Sequence, residues 1–119
     1  MRIKYGSYGI TTLGSSAPAG VAGYFGGGND GARTDGIDKI TFPADTKTTL
    51  SPTLSTARSQ LAGMANSAVA GYFGGGSDSS GNVSGIDKIT FPADTKTTLS
   101  ATLTSGRFLL AGMADSGIL

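Results

Sequence analysis

Sixteen consecutive residues, Gly-Ile-Asp-Lys-Ile-Thr-Phe-Pro-Ala-Asp-Thr-Lys-Thr-Thr-Leu-Ser, stand at 36–51 and return unchanged at 85–100, an offset of 49. The octapeptide Val-Ala-Gly-Tyr-Phe-Gly-Gly-Gly at 21–28 returns at 69–76, an offset of 48, and Leu-Ala-Gly-Met-Ala at 61–65 returns at 110–114. A fixed period of roughly 40–50 residues marks a chain built of supersecondary units that bury their apolar faces only against neighbouring units. With two such units, closure of the structure becomes the main physical question.

Composition narrows the class. Charged residues make up 14% of the 119 residues, against roughly 25% in an ordinary soluble domain. Every acidic residue is Asp, and 20 residues are Gly, a mixture suited to turns rather than to helix surfaces. The net charge of +1 and the wide spacing of Arg2, Arg33, Arg58 and Arg107 give no field to attract nucleic acid or an anionic membrane. There is no Cys and no His, which removes disulfides, thiolate metal sites and the usual general base. No secretory h-region follows Met1, and no apolar run approaches the roughly 20 residues needed to span a bilayer.

Short apolar or alternating runs, separated by Gly, Asp, Asn, Ser and Pro, read as strands and turns. Each unit divides into four strands: a first at 59–65 and 108–114, a second at 21–25 and 69–73, a third at 37–42 and 86–91, and a fourth at 47–54 and 96–103. Tight turns are expected at Pro43-Ala44-Asp45-Thr46 and Pro92-Ala93-Asp94-Thr95. The fold class is therefore all-β.

A strand ending in Tyr-Phe-Gly-Gly, a variable loop, then an aromatic followed by Pro, Asp and Thr resembles the kelch motif, and Arg58 and Arg107 ahead of the first strands fit it. The resemblance covers residues 20–116 and implies kelch-like β-propeller blades of four strands each. It departs at the fourth strand, where Thr49-Leu50 and Thr98-Leu99 stand in place of the usual Trp. Near-identical Gly- and Thr-rich repeats of this kind also resemble those of phage structural proteins.

The expected organisation is a degenerate hairpin or attachment segment at 1–19, then repeats at 20–67 and 68–119 in the strand order second, third, fourth, first. The leading repeat lacks a first strand, and the trailing first strand lacks a blade. An unpaired strand edge is a template for another chain. The C-terminal strand of one chain is expected to complete the N-terminal blade of the next by strand exchange. Such a heterologous contact closes into a ring when the rotation permits, and propellers have about 4–8 blades. The partner expected is the chain itself, as a homo-oligomeric trimer giving six blades, with other virion proteins or surface glycans as further partners.

Candidate chemistry is sparse. Gly26, Gly27, Gly74 and Gly75 belong to triple-glycine runs without the Gly-Lys-Ser/Thr of a phosphate loop, so they read as strand-end glycines. Asn29, Asp30, Asp78 and Asn82 lie in the variable loops, which differ between the repeats in both sequence and length. They read as turn formers, and also as candidate ligand-binding residues because specificity in rigid scaffolds sits on variable loops. Tyr24 and Tyr72 are either core residues or stacking platforms for a sugar ring. Arg58 and Arg107 either clamp an anion or, as structural residues, bond backbone carbonyls or a repeated Asp such as Asp38 or Asp87. No catalytic residue, metal ligand or cofactor site is expected. The function expected is non-enzymatic: a structural assembly protein, such as a phage tail or capsid decoration component, whose location would be the virion. A lectin-like adhesin using the variable loops is the alternative.

Overall fold

The computed structural model describes residues 21–115. The expected hairpin within 1–19 and the last residues of the chain lie outside that span. The described residues form nine strands and no helix. The strands are β1 (Ala22–Gly26), β2 (Ile37–Thr41), β3 (Thr46–Thr49), β4 (Ala62–Asn66), β5 (Ala70–Gly74), β6 (Ser77–Asp78), β7 (Gly81–Asn82), β8 (Ile86–Thr90) and β9 (Thr95–Thr98). They make a three-stranded sheet in the order β1-β2-β3, a four-stranded sheet in the order β9-β8-β5-β4, and the small hairpin β6-β7. Every pairing is antiparallel, and neither large sheet closes on itself.

The two sheets share one template. In the first, Tyr24 faces Lys39 across the ladder and Phe25 faces Asp38. In the second, Tyr72 faces Lys88 and Phe73 faces Asp87. The second sheet carries one strand more, because β4 pairs with β5 through Gly63↔Phe73 and Ala65↔Gly71. The equivalent edge of β1 has no strand against it among the described residues.

Several boundaries differ from the sequence expectation. The fourth strands end at Thr49 and Thr98, short of Leu54 and Leu103. The Leu50 N–H bonds the Ile37 carbonyl at 2.9 Å and the Leu54 N–H bonds the Asp35 carbonyl at 2.9 Å, so the chain leaves the ladder and crosses towards the next sheet. The first strand starts at Ala62 rather than 59, because Ser59 forms an isolated bridge to Ser77 instead. Residues 108–114, the expected copy of that strand, lie in no ladder among the described residues. A strand exists only by repeated pairing, and here the Leu109 N–H makes a single bond, to the Gln60 carbonyl at 2.9 Å, without a ladder following it. The turns after Phe42 and Phe91 form as expected, each placing its Asp (Asp45 and Asp94) in the left-handed region at φ of 59° and 60°, which Asp tolerates better than most residues.

The core lies between the two sheets. Ile37, Leu54 and Ile89 are buried there, flanked by Tyr24, Leu50, Leu61, Phe73 and Phe91. Strand alternation explains the membership. On β2, Ile37 and Lys39 point towards the second sheet, while Asp38 and Ile40 point away. On β8, Asp87 and Ile89 point towards the first sheet, while Ile86 and Lys88 point away. Leu54→Ala should therefore lower stability by about 2–5 kcal/mol, read as a fall in the urea midpoint.

Candidate functional site

The contact between the sheets is where the chemistry of the chain concentrates. The segment 54–59 leaves the first sheet and threads between the two, anchored by backbone bonds on the first. The Arg58 N–H donates to the Thr34 carbonyl at 3.1 Å, and the Gly28 N–H donates to the Arg58 carbonyl at 2.9 Å. That approach explains one glycine of each triplet. Gly27 adopts φ +69°, and a Cβ there would lie 2.7 Å from the Arg58 carbonyl oxygen; Gly75, at φ +70°, stands in the same relation to Arg107 at 2.8 Å. Only a residue without a side chain fits.

The Arg58 side chain then reaches the second sheet. Its Nη2 donates to the Asp87 Oδ2 at 3.1 Å and to the Phe73 carbonyl at 3.2 Å. Arg58 and Asp87 are both fully buried. The same Asp87 oxygen accepts from the Ser55 N–H at 2.8 Å and the Ser55 hydroxyl at 3.1 Å, while Oδ1 accepts from the Thr98 hydroxyl at 2.7 Å. The Nε of Arg58 is buried without a partner. Burial pushes the Asp87 carboxyl up, but the Ser55 N–H, the Thr98 and Ser55 hydroxyls and the Arg58 charge together hold it below the ordinary carboxylate range. Burial lowers the Arg58 guanidinium, opposed chiefly by Asp87.

A second cluster joins the sheets nearer their turns. The Tyr24 ring stacks on Phe91 at a centroid distance of 5.2 Å. The Tyr24 hydroxyl donates to the Asp94 Oδ1 at 2.7 Å, and the Lys39 ammonium donates to Oδ2 at 2.8 Å. Burial and the bond to Asp94 push the Tyr24 hydroxyl up, and the bond to Asp94 raises Lys39. Between these clusters Phe73 lies so close to Gly26 that a Cβ there would be 2.9 Å from its ring.

Each of these groups has a repeat equivalent; Phe25, Phe42, the Asp38 side chain and Arg107 are exposed, while Tyr72 and Lys88 are half-buried. Phe25, equivalent to Phe73, is 73% exposed, and Phe42, equivalent to Phe91, is 45% exposed. The Asp38 side chain, equivalent to buried Asp87, is 45% exposed. It already accepts from Thr49 at 2.6 Å as Asp87 does from Thr98, and that bond, ahead of Lys47, holds its carboxyl low. Arg107, equivalent to Arg58, is exposed. Tyr72 has Lys88 5.9 Å from its ring centroid, as Tyr24 has Lys39 at 5.7 Å. The chain thus holds one complete contact and both of its separated halves.

The remaining candidate residues do not converge. The Asn29 side chain accepts from the Gly31 N–H at 2.9 Å and the Asp78 side chain accepts from the Ser80 N–H at 2.8 Å, so both shape their own turns. Asp30 is exposed, and Asn82 pairs with Ser77 in the β6-β7 hairpin. Tyr24 is spent on Phe91 and Asp94. Gly26 and Gly74 end their strands β1 and β5. The residues that sequence reasoning passed over are Ser55, Thr98, Lys39 and Asp94. A signal for Asp87 was present: in Ile86-Asp87-Lys88-Ile89 strand alternation puts Asp87 on the face of Ile89, and a carboxylate on a core-facing position has to be paired.

The chain matches no protein-family model, and no curated protein sequence aligns with it significantly.

The buried pair has a pH signature. The folded Asp87 carboxyl titrates below its unfolded value of about 3.9, so its contribution is complete above that pH and is lost as the pH falls through the folded value. Asp87→Asn should cost about 3–5 kcal/mol at neutral pH by leaving Arg58 uncompensated, and should flatten the acid limb of stability against pH in urea titrations.

Proposed function

We propose that this chain is a structural subunit that assembles with copies of itself, head to tail, into a closed kelch-like propeller. The observation that carries this reading is the pair of open half-contacts. The face bearing Tyr72, Lys88 and Arg107 is the equivalent of the face that the first sheet presents inside the chain. The face bearing Phe25, Asp38 and Phe42 is the equivalent of the one it meets. The identity of the strand segments 36–51 and 85–100, with the Arg kept at 107 and Ser55 replaced by Thr104, supports complementarity of shape and charge between the two. A contact between unlike faces is heterologous, and its repetition closes a ring or runs on as a filament.

Three copies contribute six blades, within the usual range of about 4–8. Four blades require sharper tilts and eight leave a wide axial opening. The near-identical repeats, with shape rather than reactive groups at their centre, suit a non-enzymatic part of a larger particle, and a virion tail or capsid decoration is the setting that fits the repeat texture. Native mass spectrometry should give a particle of three chains of 11.8 kDa each; a folded monomer at micromolar concentration would overturn the reading.

A further inference from the structure

The edge of β1 that has no strand against it among the described residues borders a groove of about 780 Å³, walled on one side by Ala22, Gly23 and Tyr24, on the other by Gly63, Met64 and Ala65, with Phe91 beneath. In the second sheet the corresponding place, beside β5, is filled by β4. We infer that this groove is a strand-acceptor site, and that its occupant is residues 111–114 of a second copy of the chain. The inference rests on the head-to-tail reading above and specifies its geometry.

Three observations identify the occupant. Residues 111–114, Ala-Gly-Met-Ala, repeat residues 62–65 without change, the very residues that pair with β5. They lie in no ladder of their own among the described residues, and Met113 is 87% exposed. They also already run beside β4, since a Cβ on Gly112 would lie 2.9 Å from the Gly63 carbonyl oxygen. That is the position expected of the next inner strand around an axis. Small residues suit a slot between two strands, and main-chain bonds to an open edge supply affinity independent of side-chain size.

The internal ladder fixes the register. Ala62↔Gly74, Gly63↔Phe73, Met64↔Tyr72 and Ala65↔Gly71 become Ala111 opposite Gly26, Gly112 opposite Phe25, Met113 opposite Tyr24 and Ala114 opposite Gly23 of the second copy. The same docking brings Arg107 to Asp38 of the second copy, as Arg58 meets Asp87 within the chain.

The chain has no cysteine, so introduced pairs report cleanly. A Gly23→Cys, Ala114→Cys double variant should form intermolecular disulfides, seen as dimer and trimer bands on a non-reducing gel that collapse with reductant. The internal pair, Ala65→Cys with Gly71→Cys, calibrates the geometry and should close within one chain. Moving the donor cysteine one residue, Met113→Cys with Gly23→Cys, places it on the other face of the strand and should reduce the ladder at least tenfold. A native trimer that gives no ladder, while the internal pair closes, overturns the strand insertion and leaves head-to-tail association standing. Monomers by native mass, including those whose groove is filled by their own residues 1–20, overturn both. Equal ladders from positions 113 and 114 overturn the register.

Discussion

Two opposite charges withdrawn from water between the sheets govern the rest of this structure. Arg58 belongs to the segment that leaves the first sheet, and Asp87 to the middle of the second. Neither charge is tolerable alone in that place, because an isolated buried ion costs several kcal/mol. The pair therefore makes the position of one sheet relative to the other specific, where apolar packing of Ile37, Leu54 and Ile89 alone would permit sliding. Gly27 leaves room for the Arg58 carbonyl and the Gly28 N–H bonds it, holding the segment on its own sheet. Ser55 and Thr98 supply the remaining donors to Asp87. Sequence, backbone conformation and electrostatics agree at this point.

The repeat extends that local arrangement into the assembly proposed above. Alternation along β2 and β8 gives every sheet two unlike faces, one bearing Tyr, Ile and Lys, the other Phe, Asp and Ile. Within the chain one face of each sheet is covered by the other sheet. Phe25 and Phe42 remain in water at one side, Arg107 and Met113 at the other. Exposed aromatics at those positions are what the proposed contact between copies would cover, with the interior contact of the chain as its template. A contact of that kind between copies would join unlike faces, and so would not stop at two.

Much of this was legible in the residues, and the rest was hidden for physical reasons. The strands at 22–26, 37–41 and their copies followed from alternation and from glycine and proline punctuation. The turn aspartates followed from turn chemistry. Pairing was less accessible. Residues 108–114 have the pattern of a strand but not the partner, and pattern alone cannot supply one. The early ends of β3 and β9 reflect Leu50 and Leu99 bonding Ile37 and Ile86, and Leu54 and Leu103 bonding Asp35 and Ser84 ahead of those strands, a tertiary event that threonine-rich propensity does not report. The β6-β7 hairpin arose in a loop read only as variable. For the site, Arg58 was visible as a residue needing an acid or a carbonyl, and the two repeated acids were candidates. Geometry selected Asp87 of the following sheet over Asp38 of its own.

The most direct test separates the Arg inside the chain from the Arg at its open face. Sedimentation of Arg107→Ala should show the oligomer weakened at least tenfold in association while circular dichroism and the urea midpoint of the dissociated chain stay unchanged. If Arg107→Ala sediments like the unaltered protein at every concentration, Arg107 contributes nothing between copies, and the internal contact is not the template for assembly.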